Sequence, residues 1–386
     1  MSDPRRIERR QLLWAAGTGA AGAAALRQLT VTPSAGAMTP SRPAGAAVIY
    51  VSGSGDDGSD GSSPATAMRS LQAAYASLPD GGGTLHLGAG RYDVLDGLQL
   101  SPLKPAWLVG EVRPRKYVPS ESRSPYPGGP AAVIFSSLGA TSLIITTRPP
   151  KDAMGYGFKF SDLVFELTAP STKFAIDMNT VNMGEVEGCV FWADVHTWPA
   201  AEDAVAVRVF TDRPDGDSSW WRIHDNVAAG LALCILGNDT GPRYNSNQHV
   251  VRENIALGKG RSTTNARPCI RIVGSHRSVV RDNNIEAYRI GIQFQGCWMC
   301  TEDSDGGEVV DTFVDLLGCN GCRIAPIGIS TPTVALPGAL LVQGDHNSDG
   351  NIVVAAGAYS GAASRTYPGS AGISLSNHDN VVTRSR

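Results

Sequence analysis

An all-β chain wound as a parallel β-helix is what this sequence predicts, and three observations carry the expectation. A short pattern recurs as Trp221-Arg222-Ile223-His224-Asp225-Asn226, His249-Val250-Val251-Arg252-Glu253-Asn254 and Ser278-Val279-Val280-Arg281-Asp282-Asn283, with asparagines 28 and 29 residues apart. Self-similarity at such a period marks a repeat architecture. Each copy pairs with an alternating run, such as Val207-Arg208-Val209-Phe210, Ile270-Arg271-Ile272-Val273 or Ile292-Gln293-Phe294-Gln295, closed in the later cases by Gly. Alternation at period two with β-branched and aromatic residues reads as short, half-buried strands. No helical pattern separates the runs, so strand–helix–strand units are not expected.

The elements follow in order. Residues 1–37 read as a twin-arginine export signal: Arg9-Arg10 precede an Ala/Gly stretch too short to span a bilayer, and Ala35-Gly36-Ala37 offers a small-residue cleavage site. Cleavage there would remove five basic and two acidic residues and take the net charge from −3 to −6. With no basic excess, nucleic acid is not an expected partner, and no stable membrane span should remain. Residues 38–47 form a Pro/Ala/Gly linker, and 48–100 a cap with the first coil. Within it Val48-Ile49-Tyr50-Val51 is a strand, and Ser63 to Tyr75 a short helix with Met68, Leu71, Ala74 and Tyr75 as its apolar face. Residues 101–386 are the β-helix proper, ending with a fourth turn, Asn377-His378-Asp379-Asn380.

The stretch DGSSPATAMRSLQAAYASLPDGGGTLHLGAGRYDV (residues 60–94) resembles the N-terminal capping element of the pectate-lyase-like superfamily of right-handed parallel β-helices. That resemblance implies a single-stranded right-handed solenoid with an N-terminal capping helix. It also implies action on a polysaccharide, by a lyase, a hydrolase, or a tailspike-like binding module that would be a homotrimer. It specifies fold well and function poorly. The Gly-His-Gly, Asn-Thr-Asp, Asp-Pro-His-Asp and Arg-x-Pro-x-x-Arg elements of its enzymes are missing, so no catalytic residues carry over.

Stacking the strand runs gives an outward column of Asp177, Arg208, Cys234, Arg271, Gln293, Leu341 and Ser374. The resemblance directs attention to this face. Asp177, Arg208 and Arg271 are the candidate catalytic groups, because arginine's planar fork suits a sugar carboxylate. Asn179 and Gln293 would bind hydroxyls, and Trp192, Trp198, Trp220 and Trp221 would stack on sugar rings. The competing reading is a solvated ladder in which Asp177 and Arg208 neutralise each other. One carboxylate on the column favours β-elimination over hydrolysis, which needs two. The turn column of His224, Arg252, Arg281 and His378 reads mainly as structural.

Two metal readings remain. The acidic loop Glu302-Asp303-Ser304-Asp305-Gly306-Gly307-Glu308 offers hard oxygens to Ca2+, without EF-hand spacing. Cys297-x-x-Cys300 and Cys319-x-x-Cys322 match a four-cysteine zinc spacing, yet Cys322 opens a strand while the first pair follows one. The pairs are therefore expected on different sides of the solenoid, as stacked or disulfide-paired cysteines rather than a metal site.

Overall fold

The computed structural model describes residues 47–386 apart from 115–129, 151–152, 194–202, 215, 239–245, 259–266, 327, 330–339, 346, 356–372, 376–380 and 385–386. The expected export signal, residues 38–46 of the linker, Trp198, His378 and Asn380 lie outside the described residues, while Ala47 opens the first strand, Ala47–Val51.

The described chain is nearly all β, with one α-helix and two large parallel sheets of 12 and 17 strands. Every strand pairing among the described residues is parallel, and partners lie one turn of chain apart, as in Arg222–His224 against Val250–Arg252 and then Val279–Arg281. This arrangement is consistent with a parallel β-helix. One continuous apolar core runs inside the stack, from Ile49 to Val353. No helix of the described residues is long and apolar enough to cross a membrane.

The predicted helix over Ser63–Tyr75 is two elements. Ser63 caps a 3-10 turn, Pro64–Thr66, and Ser70 caps the α-helix Leu71–Ser77. Between them, Met68 donates its N–H to the Tyr50 carbonyl, and Asp57 accepts the N–H groups of Arg69 and Ser70. Backbone pairing to the first strand outcompetes helix continuation there. The helix buries Leu71, Ala74 and Tyr75, and the Tyr75 hydroxyl reaches the Ser101 and Lys104 carbonyls.

Two corners set the register. At one, a left-handed residue (Asp162, Gly188, Asp225, Glu253, Asp282, Ser304) turns the chain, and the next residue points inward. Asn226, Asn254 and Asn283 stack there, each side-chain oxygen accepting the N–H of the residue one coil before. Their amides donate to carbonyls on the preceding coil, at Val186, Ile223 and Val251. The next member is Asp305, which falls in the acidic stretch whose hard oxygens could suit Ca2+. It accepts from Asn283 at 2.6 and 2.8 Å and is fully buried with Glu302. Glu302 likewise faces inward, accepting from the Asp305 and Ala325 N–H groups. These two carboxyls face the core and not a solvent ion.

The second corner is a tetrad the sequence reading missed: Ser246-Asn247-Gln248-His249, Ser275-His276-Arg277-Ser278, Cys297-Trp298-Met299-Cys300, Cys319-Asn320-Gly321-Cys322 and Ser348-Asp349-Gly350-Asn351. First and fourth members are buried, and the third has a positive φ. The inward group of each coil donates to a carbonyl of the previous one: Cys319 to Phe294, Cys322 to Cys297, Ser348 to Leu316 and Asn351 to Cys319. The two Cys pairs thus occupy one corner on adjacent coils, not different sides, and thiols take the place of hydroxyls. All seven cysteines are free and buried.

Burial pushes the Asp305 carboxyl up to about 7, against the hydrogen bonds from Asn283. Its Oδ2 lacks a partner and sits where an asparagine would donate, so only the protonated acid fits the ladder. A raised acid pKa means the folded state holds the proton more tightly, and stability falls as pH rises from about 4 to about 7. Asp305→Asn should therefore stabilise the fold at pH 8 by about 1–3 kcal/mol. The gain should shrink to nothing near pH 4, as read by denaturant unfolding at both pH values.

Candidate functional site

Strand pairing places Asp177, Arg208, Ile235, Arg271, Gln293, Asp315, Gln343 and Ser374 in one row. Their strand neighbours Ile176, Val207, Ile272, Phe294 and Leu316 lie in the core, so the row from Asp177 to Asp315 faces away from it. Two members differ from the expected column. Cys234 pairs with Val207 and Ile270 in the core, and Ile235 takes its place; Gln343 takes that of Leu341. The first is a one-residue slip, which exchanges the two faces of a strand, and the second is a two-residue shift along it.

At the upstream end, Asp177 and Arg208 form a bidentate pair at 2.7 and 2.8 Å, and Ser142 adds a hydrogen bond to Asp177 at 3.1 Å. The guanidinium lies over Phe174 at 3.7 Å and Phe210 at 4.4 Å from the ring centroids. With both carboxylate oxygens engaged and the fork held between rings, this pair is a clasp. Asn179 belongs to the same support, its oxygen accepting from Thr180 and the Asp212 N–H.

Downstream, the row is polar. Arg271 donates to Gln295 at 2.6 Å, and Gln293 donates to Asp315 at 2.8 Å. Asp315 is a second carboxyl that the sequence reading did not place. Burial raises its pKa, the Gln293 hydrogen bond opposes this, and the Asp345 charge raises it further. Five coil steps separate Asp177 from Asp315, about 24 Å at the spacing of paired strands. Those two therefore do not act on one bond.

The tryptophans disperse. Trp192 pairs with Glu166 and Ala229 in a different strand set. Trp220 is half-buried at the tetrad corner and donates to the Gln248 side chain at 2.9 Å. Trp221 is wholly inside the core, bonded to the Val181 carbonyl, and a Cβ on Gly184 would strike its ring at 2.2 Å. It has no face for a sugar, which corrects its assignment as a stacking residue. A more exposed tryptophan, Trp298, stacks on His276 with centroids 5.2 Å apart. Only its place between two cysteines in an otherwise serine-rich tetrad could have signalled it.

The other large sheet carries a charged cluster. Glu185, Glu187 and His224 bring ligand atoms within 4.8 Å of one another. Lys159 already bridges the carboxylates, at 3.0 Å to Glu185 and 2.7 Å to Glu187, so an ammonium fills the cation position. His224 Nε2 lies 3.1 Å from Glu185 and Nδ1 3.2 Å from Asp225. Burial would raise the Glu185 carboxyl, but His224, Lys159 and Arg222 outweigh it and hold it at about 2. Burial would lower the His224 imidazole, but Asp225 and Glu185 raise it on balance.

The depressed carboxyl contributes stability present above pH 4.5 and lost as pH falls toward 2; the raised imidazole contributes stability present below pH 6.5 and lost as pH rises through its folded value. Glu185→Gln should cost about 1–3 kcal/mol at pH 6, since Lys159 and His224 lose their most buried carboxylate partner and keep only Glu187 and Asp225. Thermal unfolding from pH 2 to 8 should show the acid-side loss in the wild type and a flatter limb in the variant.

No family model matches the chain, and no curated protein matches it. Solved structures do. DFA-IIIase from Arthrobacter chlorophenolicus A6, a mutant in complex with DFA-III, superposes with a TM-score of 0.51 at 12% identity, covering 80% of this chain and 75% of its own. A structure described as a glycoside hydrolase superposes with a TM-score of 0.51 at 10% identity, covering 88% of this chain and 96% of its own. At such identities the likeness is one of fold.

Proposed function

We propose that this protein is an exported carbohydrate-active enzyme on a right-handed parallel β-helix, capped at its N-terminal end by the Leu71–Ser77 helix, that cleaves an extracellular polysaccharide. The observation that carries the reading is Asp315. It is a desolvated carboxyl on the outward face, oriented by Gln293, with its proton held more tightly than an ordinary aspartic acid holds one. A carboxylic acid whose proton affinity is raised by burial suits donation to a glycosidic oxygen. Asp345, whose charge acts on Asp315, supplies the second carboxylate that hydrolysis needs. In that reading Asp315 passes its proton to the leaving oxygen as the C–O bond breaks, and Asp345 takes a proton from the attacking water.

Elimination is the second reading, and Arg271 favours it: it stands one register step from Gln293 and suits a uronate carboxylate. Arg208 no longer supports it as a base, because Asp177 and two aromatic rings hold its guanidinium. Both chemistries share the outward face and Asp315. The structural likeness to carbohydrate-active enzymes supports the substrate class.

The test is a panel of neutral and uronate polymers scored for new reducing ends and for absorbance near 235 nm. Reducing ends without absorbance mean hydrolysis, and both together mean elimination. Asp315→Asn should lower kcat by about 100-fold or more with little change in KM. Full activity in this variant would remove Asp315 from the chemistry, and silence of the wild type on every polymer would leave a glycan-binding module.

A further inference from the structure

We propose that the tetrad corner next to the Arg271–Gln293–Asp315 face is a glycan-binding wall. It would hold a linear oligosaccharide along the coil axis, with Trp298 and His276 as aromatic contacts and Asn320 and Asp349 as polar ones. The inference rests on the glycan reading above and adds a subsite and a direction to it.

The geometry separates the four tetrad positions by task. First and fourth members face inward and bond to the neighbouring coil. Second and third members point away from the core, and they form two outward rows. Backbone bridges align His276, Trp298, Asn320 and Asp349 one above another. Asn247 extends this row, its side chain accepting the His276 N–H at 3.0 Å. The parallel row holds Trp220, Gln248, Arg277, Met299, Gly321 and Gly350, all left-handed, each of the first five donating its N–H to the next coil. The backbone needs those turns, but it does not need an indole at Trp298.

That indole is 52% exposed, although its area would ordinarily favour burial. It lies nearly parallel to His276, at an interplanar angle of 10°. Planar rings beside amide and carboxylate groups suit the mixed apolar and hydroxyl surface of a sugar. The row advances about 4.8 Å per coil, close to the advance of one sugar unit in an extended chain. Trp220, three coils before Met299 in the parallel row, lies about 14 Å along the same wall. The corner also follows directly on the strand ending at Gln295, so a chain on the wall would run beside Gln293 and Asp315. A protein partner is less well matched, since the large apolar groups of the two rows, Trp220, Trp298 and Met299, are interspersed with polar, charged and glycine neighbours.

The experiment uses the full chain and whichever polymer the panel identifies, degraded to a series of defined lengths. Trp298→Ala and His276→Ala are compared with wild type and with Leu138→Ala, an exposed apolar residue far from the wall. Each wall variant should raise KM on the long chains by about tenfold, the equivalent of one lost aromatic contact. kcat, Tm and KM on the shortest cleaved oligosaccharide should stay at wild-type values. Equal KM at every length overturns the wall, as does a uniform loss accompanied by a lower Tm. A wild-type self-association that Trp298→Ala abolishes would overturn it in favour of a protein interface. If the wild type cleaves nothing, the catalytic reading fails alone. Tryptophan fluorescence titrated with the same polymers then decides the wall, which falls if no polymer shows binding that Trp298→Ala removes.

Discussion

Every coil must satisfy polar groups that its own turns bury, and it can do so only through the coils beside it. That constraint governs the structure. A left-handed residue at each corner tips the next side chain inward, where its partners are backbone and side-chain groups of the adjacent coils. A buried donor or acceptor left alone costs about 1–3 kcal/mol, so a register shift would break many bonds together. The chain is therefore held in phase by its corners, while the apolar interior supplies non-directional attraction.

Because phase is fixed at the corners, outward positions are free to vary. The same row runs from the Asp177–Arg208 clasp, sealed between Phe174 and Phe210, to the polar group around Gln293 and Asp315. Identical backbone thus carries a locked pair at one end and a desolvated acid at the other. The Lys159, Glu185 and His224 cluster on the second sheet is a third solution, in which opposite charges neutralise each other across adjacent coils.

The asparagine corner was legible because its residue type repeats. The tetrad corner was not, because Ser, His, Cys and Asn satisfy the same inward bond and so conceal the period. Cys234 was misplaced since Leu233-Cys234-Ile235-Leu236 is apolar throughout and offers no alternation to reveal its faces; pairing with Val207 decides it. Asp315 escaped notice inside a 12-residue strand, Gly306–Leu317, that begins where an acidic loop seemed to be. Tryptophan content was visible, but sequence proximity to a charged pair did not say which ring is core: Trp221 became an interior wedge against Gly184. The predicted helix split at Met68 because a long-range backbone bond competes with a local one.

The sulfurs are spread along the stack, from Cys189 through Cys234 and Cys269 to the four in the tetrad corner, and each is shut away from solvent. Parallel strands stacked so that each leans only on its neighbours come apart one layer at a time. The thiols are consequently a set of internal clocks at known addresses. The order in which a slow alkylating reagent reaches them would chart where the stack first parts, without any label having been introduced.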